Sequence, residues 1–374
     1  MNRRDFLTLS ATGIIGLSAS SFPLSAFAKG KGDKSYSLVI LGDTHFDTEP
    51  ADVYHAHYNE PVEWLNRVQR AEFARNGEMW RERCPRLVRR AAQLVGPDTK
   101  MVFQMGDLIQ GDCGSGEVHR RMLDDVMNRF KDDFGGLPFI TVVGNHDIRG
   151  VDAEQAYKDY MPARMARELG KPVSKTTFSF NIGDDAFLVA DFNTPDDAEM
   201  EKLLKDSEGA RHTFVIVHGP LFPYDSASCR WFYHGSARDT EIRRHFRREF
   251  ARRSVIGLCG HTHRTEFFDW VGDGGRITQL TMNSVWTTNE KTGIYEIDSE
   301  GAAKYGTLRI GTKNDDGTPV ADETALFDEY RDGLRAYSRS RAAGSYKLTV
   351  GPRDVSVDFY AGDSAALSQR FLLR

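Results

Sequence analysis

From Tyr36 onward the chain alternates short apolar runs with polar turns and longer amphipathic stretches, the rhythm of strand, turn and helix. Residues 37–41 (Ser-Leu-Val-Ile-Leu) and 101–105 (Met-Val-Phe-Gln-Met) predict buried strands that run into Gly42-Asp43 and Gly106-Asp107. Residues 139–143, 214–217 and 255–259 repeat the pattern and end at Gly144-Asn145, His218-Gly219 and Gly260-His261. Five predicted strands therefore deliver polar residues at their carboxyl ends, where open α/β sheets place their ligands. The expectation is an α/β domain with these residues gathered along one edge of a sheet.

Between the first two strands, residues 47–98 are more than a plain crossover requires. Residues 64–75 and 79–94 have helical patterning, with Leu87, Ala91 and Leu94 on one buried face, and are expected to pack as covering helices. The preceding loop, 47–61, carries His55 and His57 and is open to two readings, a rim for substrate or ordinary packing. Residues 178–182 and 186–191 predict adjacent strands joined by the turn Gly183-Asp184-Asp185. Residues 241–253 are arginine-rich, yet Ile242, Phe246 and Phe250 recur every four residues, which predicts a helix with its arginines on the wet face. Strand patterns return at 293–297, 308–310, 346–350 and 355–360 and predict a small C-terminal β extension. The expected boundaries are 36–290 for the main domain and 291–374 for the extension.

With 374 residues the chain exceeds the usual size of one domain, which accords with a large domain and an appendage. The 49 basic and 54 acidic residues leave a net charge of −5, giving no electrostatic basis for sequence-independent binding to nucleic acid or an anionic membrane. No nucleic-acid partner is expected. The N-terminal residues have the layout of a targeting segment: Arg3-Arg4, then Phe6-Leu7, a less polar stretch to Phe22, and Ala26-Phe27-Ala28, which fits the small-x-small rule for cleavage after Ala28. The stretch 6–22 is interrupted by Ser, Thr and Gly and is shorter than the roughly 20 residues a span prefers, so no stable membrane anchor is expected. Arg-Arg-x-Phe-Leu resembles the twin-arginine export signal. That resemblance implies the twin-arginine machinery as a partner and a periplasmic or otherwise extracytoplasmic location. Export of a folded protein would protect the identity of a metal acquired before it leaves the cytoplasm.

Four cysteines, Cys84, Cys113, Cys229 and Cys259, allow three complete pairings. Cys259 lies in an apolar run and is expected as a buried thiol. Cys113 and Cys229 follow candidate site residues in Gly- or Ser-containing loops, which makes a disulfide between them one hypothesis, though the sequence does not choose among the pairings.

The strand-end loops in order are Gly42-Asp43-Thr44-His45, Gly106-Asp107, Gly144-Asn145-His146-Asp147, His218-Gly219-Pro220 and Gly260-His261-Thr262-His263. Each alone is weak evidence, but five in series, all metal-capable and all after an apolar run, point to one metal site. The series D-x-H, G-D, G-N-H-D, H and G-H-x-H resembles the calcineurin-like metallophosphoesterases over residues 36 to about 286. The resemblance implies a four-layer α/β/β/α sandwich holding two metals. Asp43, His45, Asp107 and His263 would hold one, and Asp107, Asn145, His218 and His261 the other, with Asp107 bridging. It further implies hydrolysis of small phosphomonoesters or phosphodiesters by a metal-bridging hydroxide. The donor chemistry agrees: three carboxylate or carboxamide side chains and four imidazoles suit iron, manganese or zinc, as divalent or mixed-valence ions, and not a calcium cage.

By the same resemblance His146 faces the leaving group and stabilises or protonates it, work that suits an imidazole. Its orienting partner is expected to be Asp147 or Asp112, because Gln110 stands where many relatives carry an Asp. The same Gln110 disfavours the purple acid phosphatases, which carry a Tyr there. Residues 220–239 hold Phe222, Tyr224, Trp231, Phe232 and Tyr233, with Arg230 and His234 among them, and together with Asn283 and Trp286 they offer either substrate stacking or loop packing. A non-catalytic scaffold of the same fold is the rival reading, but such a protein should have lost ligands, and all seven are present.

Overall fold

The apolar runs form strands, and they divide between two sheets. The computed structural model describes residues 35–48, 63–224, 237–284, 295–297, 299–305 and 324–374. The segment expected to direct targeting, His55, His57, Cys229, Arg230, the aromatic residues Trp231 to Tyr233, His234 and Trp286 lie outside the described residues. In chain order the strands are β1 (Tyr36–Leu41), β2 (Thr99–Gln104), β3 (Phe139–Thr141), β4 (Phe178–Ile182), β5 (Asp185–Ala190), β6 (Thr213–Val217) and β7 (Ile256–Cys259). They continue with β8 (Thr265–Gly272), β9 (Gly275–Thr281), β10 (Ser299–Glu300), β11 (Leu334–Ser340), β12 (Gly344–Val350), β13 (Val355–Ala361) and β14 (Gln369–Leu372). One sheet runs β14-β13-β12-β1-β2-β3 and the other β10-β11-β8-β9-β7-β6-β5-β4.

In each sheet the strands that carry site loops are parallel neighbours: β1 with β2 and β2 with β3, then β5 with β6 and β6 with β7. Their carboxyl ends therefore lie at the same end of each sheet. The donors come from two facing sheets, which corrects the expectation of a single sheet edge. The C-terminal strands are built into both sheets: β12 pairs antiparallel with β1 from Tyr36↔Val350 to Ile40↔Tyr346, and β11 pairs antiparallel with β8.

Strict alternation explains how one strand serves two layers. Phe187 and Val189 of β5 and Phe214 and Ile216 of β6 face the core between the sheets, while Leu188, Ala190, Val215 and Val217 face the outer helical layer. Phe103, Phe180, Phe187 and Phe214 form a stacked series across the inner core, with ring centroids 6.2, 5.0 and 4.5 Å apart. Both faces of the central strands are thus dry, so their sequences read as continuous apolar runs.

Helices α1 (Glu63–Glu82), α2 (Cys84–Ala92), α3 (Gly116–Asp133) and α4 (Ala153–Leu169) lie on the side of the first sheet, and α5 (Asp197–Asp206) and α6 (Ala237–Arg253) pack on the second. The short helices α7 (Ala302–Tyr305) and α8 (Thr324–Arg331) follow. The helix break expected between 75 and 79 falls instead at Arg83, because Pro85, with no N–H and a fixed φ, opens α2 rather than continuing α1. Phe246 and Phe250 of α6 are buried as expected. Its arginines are not all on a wet face, however: Arg243 is 3% exposed, and Arg243, Arg244 and Arg247 converge on Glu329 of α8. The charges hold two helices together. Cys259 is a buried thiol whose pKa burial pushes up. Among the described residues no helix is long and apolar enough to cross a membrane.

One buried base ties α3 to the site loops. His119 is fully buried, its Nε2–H donates to the Asp147 carbonyl at 2.7 Å, and its Nδ1 has no hydrogen-bond partner among the described residues. Burial lowers its pKa to about 4, against the pull of that hydrogen bond. Below pH 6.5 the unfolded chain takes up a proton that the folded chain refuses, so this contribution to stability is present above 6.5 and lost as pH falls toward 4. Denaturant unfolding should show the wild type losing about 2 kcal/mol more than His119→Gln between pH 7.5 and pH 5. Equal losses would remove His119 as the cause.

Candidate metal centre

The strand ends are first locked to one another by a residue hidden inside an apolar run. Gln104, fully buried at the end of β2, donates to the carbonyls of Gly42 (3.1 Å) and Gly106 (2.6 Å) and accepts from Gly106 N (3.0 Å) and Thr141 Oγ1 (2.5 Å). One amide thus joins the ends of β1, β2 and β3. Asp147 performs the same work a layer further out. Its carboxylate accepts from Leu108 N (2.8 Å), Ile109 N (3.1 Å) and Gly144 N (2.8 Å), fastening the Asp107 loop to the Asn145 loop.

On this frame the predicted ligands converge. The donor atoms of Asp43, His45, Asp107 and His263 all lie within 4.8 Å of one another, and so do those of Asp107, His218 and His261. Asp107 belongs to both groups. Its Oδ2 is 3.3 Å from His218 Nε2 and 3.7 Å from His45 Nε2, and its Oδ1 accepts from His146 N at 2.8 Å. Asp43 accepts from His261 N at 3.0 Å, and its Oδ2 is 3.3 Å from His263 Nε2. Asn145 precedes His146, and its buried Oδ1 has no hydrogen-bond partner among the described residues.

The backbone carries strain at these positions. His45, Asp107, His261 and His263 have φ of 42°, 50°, 71° and 51°, in the left-handed region that non-glycine residues avoid. Close packing maintains it: a Cβ on Gly144 would sit 2.1 Å from Asp107 N, and one on Gly260 would sit 2.3 Å from Asp43 Oδ1.

Whether these residues fit a cation follows from their lone pairs. His218 Nδ1 is 2.7 Å from the Met105 carbonyl, so it carries a proton, and Nε2 is the atom turned toward the Asp107 carboxylate, 3.3 Å away. His45 Nε2 faces His263 Nε2 at 3.2 Å. Carboxylates and imidazole nitrogens this close to one another call for positive charge between them, whether protons or cations. Burial opposes charging His218, but Asp107 and Asp43 pull its pKa up to about 9, the same demand expressed as proton affinity. His45 and His261 are driven down to about 4 and about 3, first by burial, and so stay neutral, the state a metal ligand needs. Burial pushes Asp107 up, yet His218, His146 and His45 together hold it well below the usual carboxylate range. Two donor groups that share Asp107 suit a pair of transition-series cations.

His146 stands beside this group, its ring 4.4 Å from that of His45. Its Nδ1 donates to the backbone carbonyl of Gln110 at 2.8 Å. The expectation that Asp147 or Asp112 orients it is corrected: Asp147 is occupied by three backbone N–H groups, and Asp112 holds Arg149 Nη2 at 2.5 Å. A carbonyl oxygen replaces the carboxylate of an acid dyad. Burial and the Arg149 charge then push the His146 pKa well below the imidazole range, against the pull of Asp107.

Sequence reasoning missed β5 as a source of site residues. Asp191 follows it and accepts from Asn193 N (2.9 Å) and Thr194 N (3.0 Å), while Asn193 Nδ2 donates to the Gly144 carbonyl at 3.2 Å. Phe192 lies against His218 and His261, ring centroids 5.3 and 5.6 Å away. The signal was available, since Asp191 also follows an apolar run. Tyr224 meets His261 edge-on at 6.0 Å, whereas Phe222 stacks on Phe268 in the core and Asn283 donates to the Arg341 carbonyl, both as packing residues. The Cys113 to Cys229 pairing falls on a residue outside the described set.

The glycine cradles make a direct test. Gly144→Ala should keep the circular dichroism of the wild type but lower affinity for added Zn²⁺ at least about tenfold, as for displaced ligand supports elsewhere. Wild-type affinity would show that the Asp107 loop relaxes without cost.

A family model for calcineurin-like phosphoesterases matches residues 36–265. A search of curated proteins finds no match. Among solved structures, that of PhoD is 12% identical, with a TM-score of 0.51, over 92% of this chain and 70% of that one. GAP50, the anchor in the inner membrane complex of Plasmodium, is 14% identical with a TM-score of 0.44, over 91% of this chain and 89% of the other. The match to PhoD is one of fold. With the family model spanning more than half of the sequence and both donor groups assembled where its motifs fall, the chain belongs to the calcineurin-like phosphoesterase family.

Proposed function

We propose that this protein is an exported hydrolase of small phosphate esters, mono or di, that works with two transition-metal ions. The observation that carries the reading is the pair of donor groups sharing Asp107. A bound pair of cations would supply a nucleophilic oxygen at neutral pH and positive charge facing the phosphoryl oxygens. The chain's own residues do the rest. Asp43, His45, Asp107 and His263 would hold one ion, and Asp107, Asn145, His218 and His261 the other, with iron, manganese and zinc as the candidates by donor type.

His146 is the residue that moves a proton. Because Nδ1–H is committed to the Gln110 carbonyl, Nε2 is the atom that carries a proton to the leaving-group oxygen. An anionic ester beside it would offset the Arg149 charge and favour that protonated state. Asp147 acts as a positioning residue through the backbone and touches neither substrate nor ion. Export rests on the Arg3-Arg4 segment and its small-x-small site, and supports a periplasmic location and contact with the twin-arginine machinery.

Elemental analysis of the folded protein should find about two transition-metal ions per chain, with metal-dependent turnover of p-nitrophenyl phosphate or bis-p-nitrophenyl phosphate. The preferred ester assigns mono or diester specificity. Absence of bound metal after reconstitution would favour a non-catalytic scaffold. Asp107→Ala should lose both metal and activity. His146→Ala should keep the metals and lower kcat by about 10²- to 10⁴-fold; an emptied site in that variant would contradict the role given to His146.

A further inference from the structure

Helix α1 belongs to the insertion before β2, yet it reaches the first donor loop with two polar side chains one turn apart. Trp80 Nε1–H donates to the carbonyls of Thr44 (3.1 Å) and His45 (2.9 Å). Asn76 Nδ2 donates to Gln110 Oε1, and the same oxygen lies 3.1 Å from His45 Nδ1. All four residues are buried: Asn76 at 7%, Trp80 at 2%, Gln110 at 0% and His45 at 4% exposure. Gln110 Nε2 is left with no hydrogen-bond partner among the described residues, so the amide is oriented by what its oxygen does.

We propose that Asn76 and Gln110 form a neutral positioning relay that fixes His45 with its proton on Nδ1, leaving Nε2 bare, so that helix α1 sets cation affinity at the His45 donor group. With Asn76 donating, Gln110 presents an acceptor, and an acceptor compels Nδ1–H on His45. Nε2 then carries the lone pair that faces His263 and Asp107. The reverse arrangement, with both amides turned over, places Gln110 N–H against Nδ1 and a proton on Nε2, a tautomer that cannot ligate. Trp80 holds the backbone of the same residue, at φ 42°, in register with the relay. Because the relay ends in an amide and not a carboxylate, His45 is oriented without added negative charge and without the gain in basicity that a carboxylate partner gives a ligand. This inference rests on the reading of the cluster as a cation site, but its first half, the tautomer, stands independently of any metal.

Nitrogen NMR on metal-stripped, imidazole-¹⁵N-labelled protein, with His45 assigned by loss of its signals in His45→Gln, should show a protonated Nδ1 and a bare Nε2. Asn76→Ala should mix or invert that pattern. Calorimetric titration with Zn²⁺ should then find two equivalents in the wild type, one of them weakened about 10- to 100-fold in Asn76→Ala and the other unchanged. Gln110→Glu, which keeps the shape and adds the charge, should tighten the same equivalent by at least about tenfold; it decides the matter if Asn76→Ala does not fold. A proton on Nε2 in the wild type, or wild-type Zn²⁺ affinities in Asn76→Ala or Gln110→Glu, would overturn the relay. If the wild type takes up no Zn²⁺ while His45 shows the expected tautomer, the phosphoesterase reading fails and the tautomer half of the relay survives.

Discussion

The structure depends on one carboxylate held where two sheets meet. Asp107 is buried, has φ of 50°, and its carbonyl oxygen accepts the N–H groups of both Thr44 (3.1 Å) and His45 (2.9 Å) while its side chain accepts from His146. A charged group in that position is costly unless surrounded by positive charge and donors. Three histidines and a backbone N–H provide part of that surrounding, and a bound cation would add to it. The close glycines, the strained backbone and the dry strands beneath all serve to keep that carboxylate where both donor groups can share it.

Around this centre the orienting partners of the histidines are neutral oxygens. His218 is turned by the Met105 carbonyl, His146 by the Gln110 carbonyl and His45 by the Gln110 side chain. Gln110 therefore orients two different histidines, one through its backbone and one through its amide. The buried acids nearby are committed elsewhere, Asp147 to three backbone N–H groups and Asp112 to Arg149. Among the described carboxylates, Asp43 and Asp107 are the ones that join the donor groups. A site so arranged would hold cations by ligand geometry more than by surplus charge.

Every predicted ligand could be found in the sequence because each sits directly after a strand buried on both faces. Such a strand leaves no polar position until its end, so a Gly-Asp or Gly-His following it stands out. Asp191 was legible on the same ground. Gln104 was not: inside an apolar run a glutamine is indistinguishable from a misplaced polar residue until the carbonyls it joins are known. The arginines of α6 misled for the opposite reason, since periodicity reports which side of a helix is apolar but not whether a partner such as Glu329 covers the other side.

What the sequence by itself determined is local: where strands end, which donor types follow them, and hence the family. Only the tertiary structure decided how the loops from two sheets face each other, that the C-terminal strands extend both sheets, and which atom each histidine presents. Side-chain type and spacing are properties of the chain, readable one segment at a time. The proton on an imidazole is set by whichever oxygen lies 2.7 to 3.1 Å behind it, and those oxygens come from residues 36 to 113 positions away. No pattern along the chain encodes a contact of that kind.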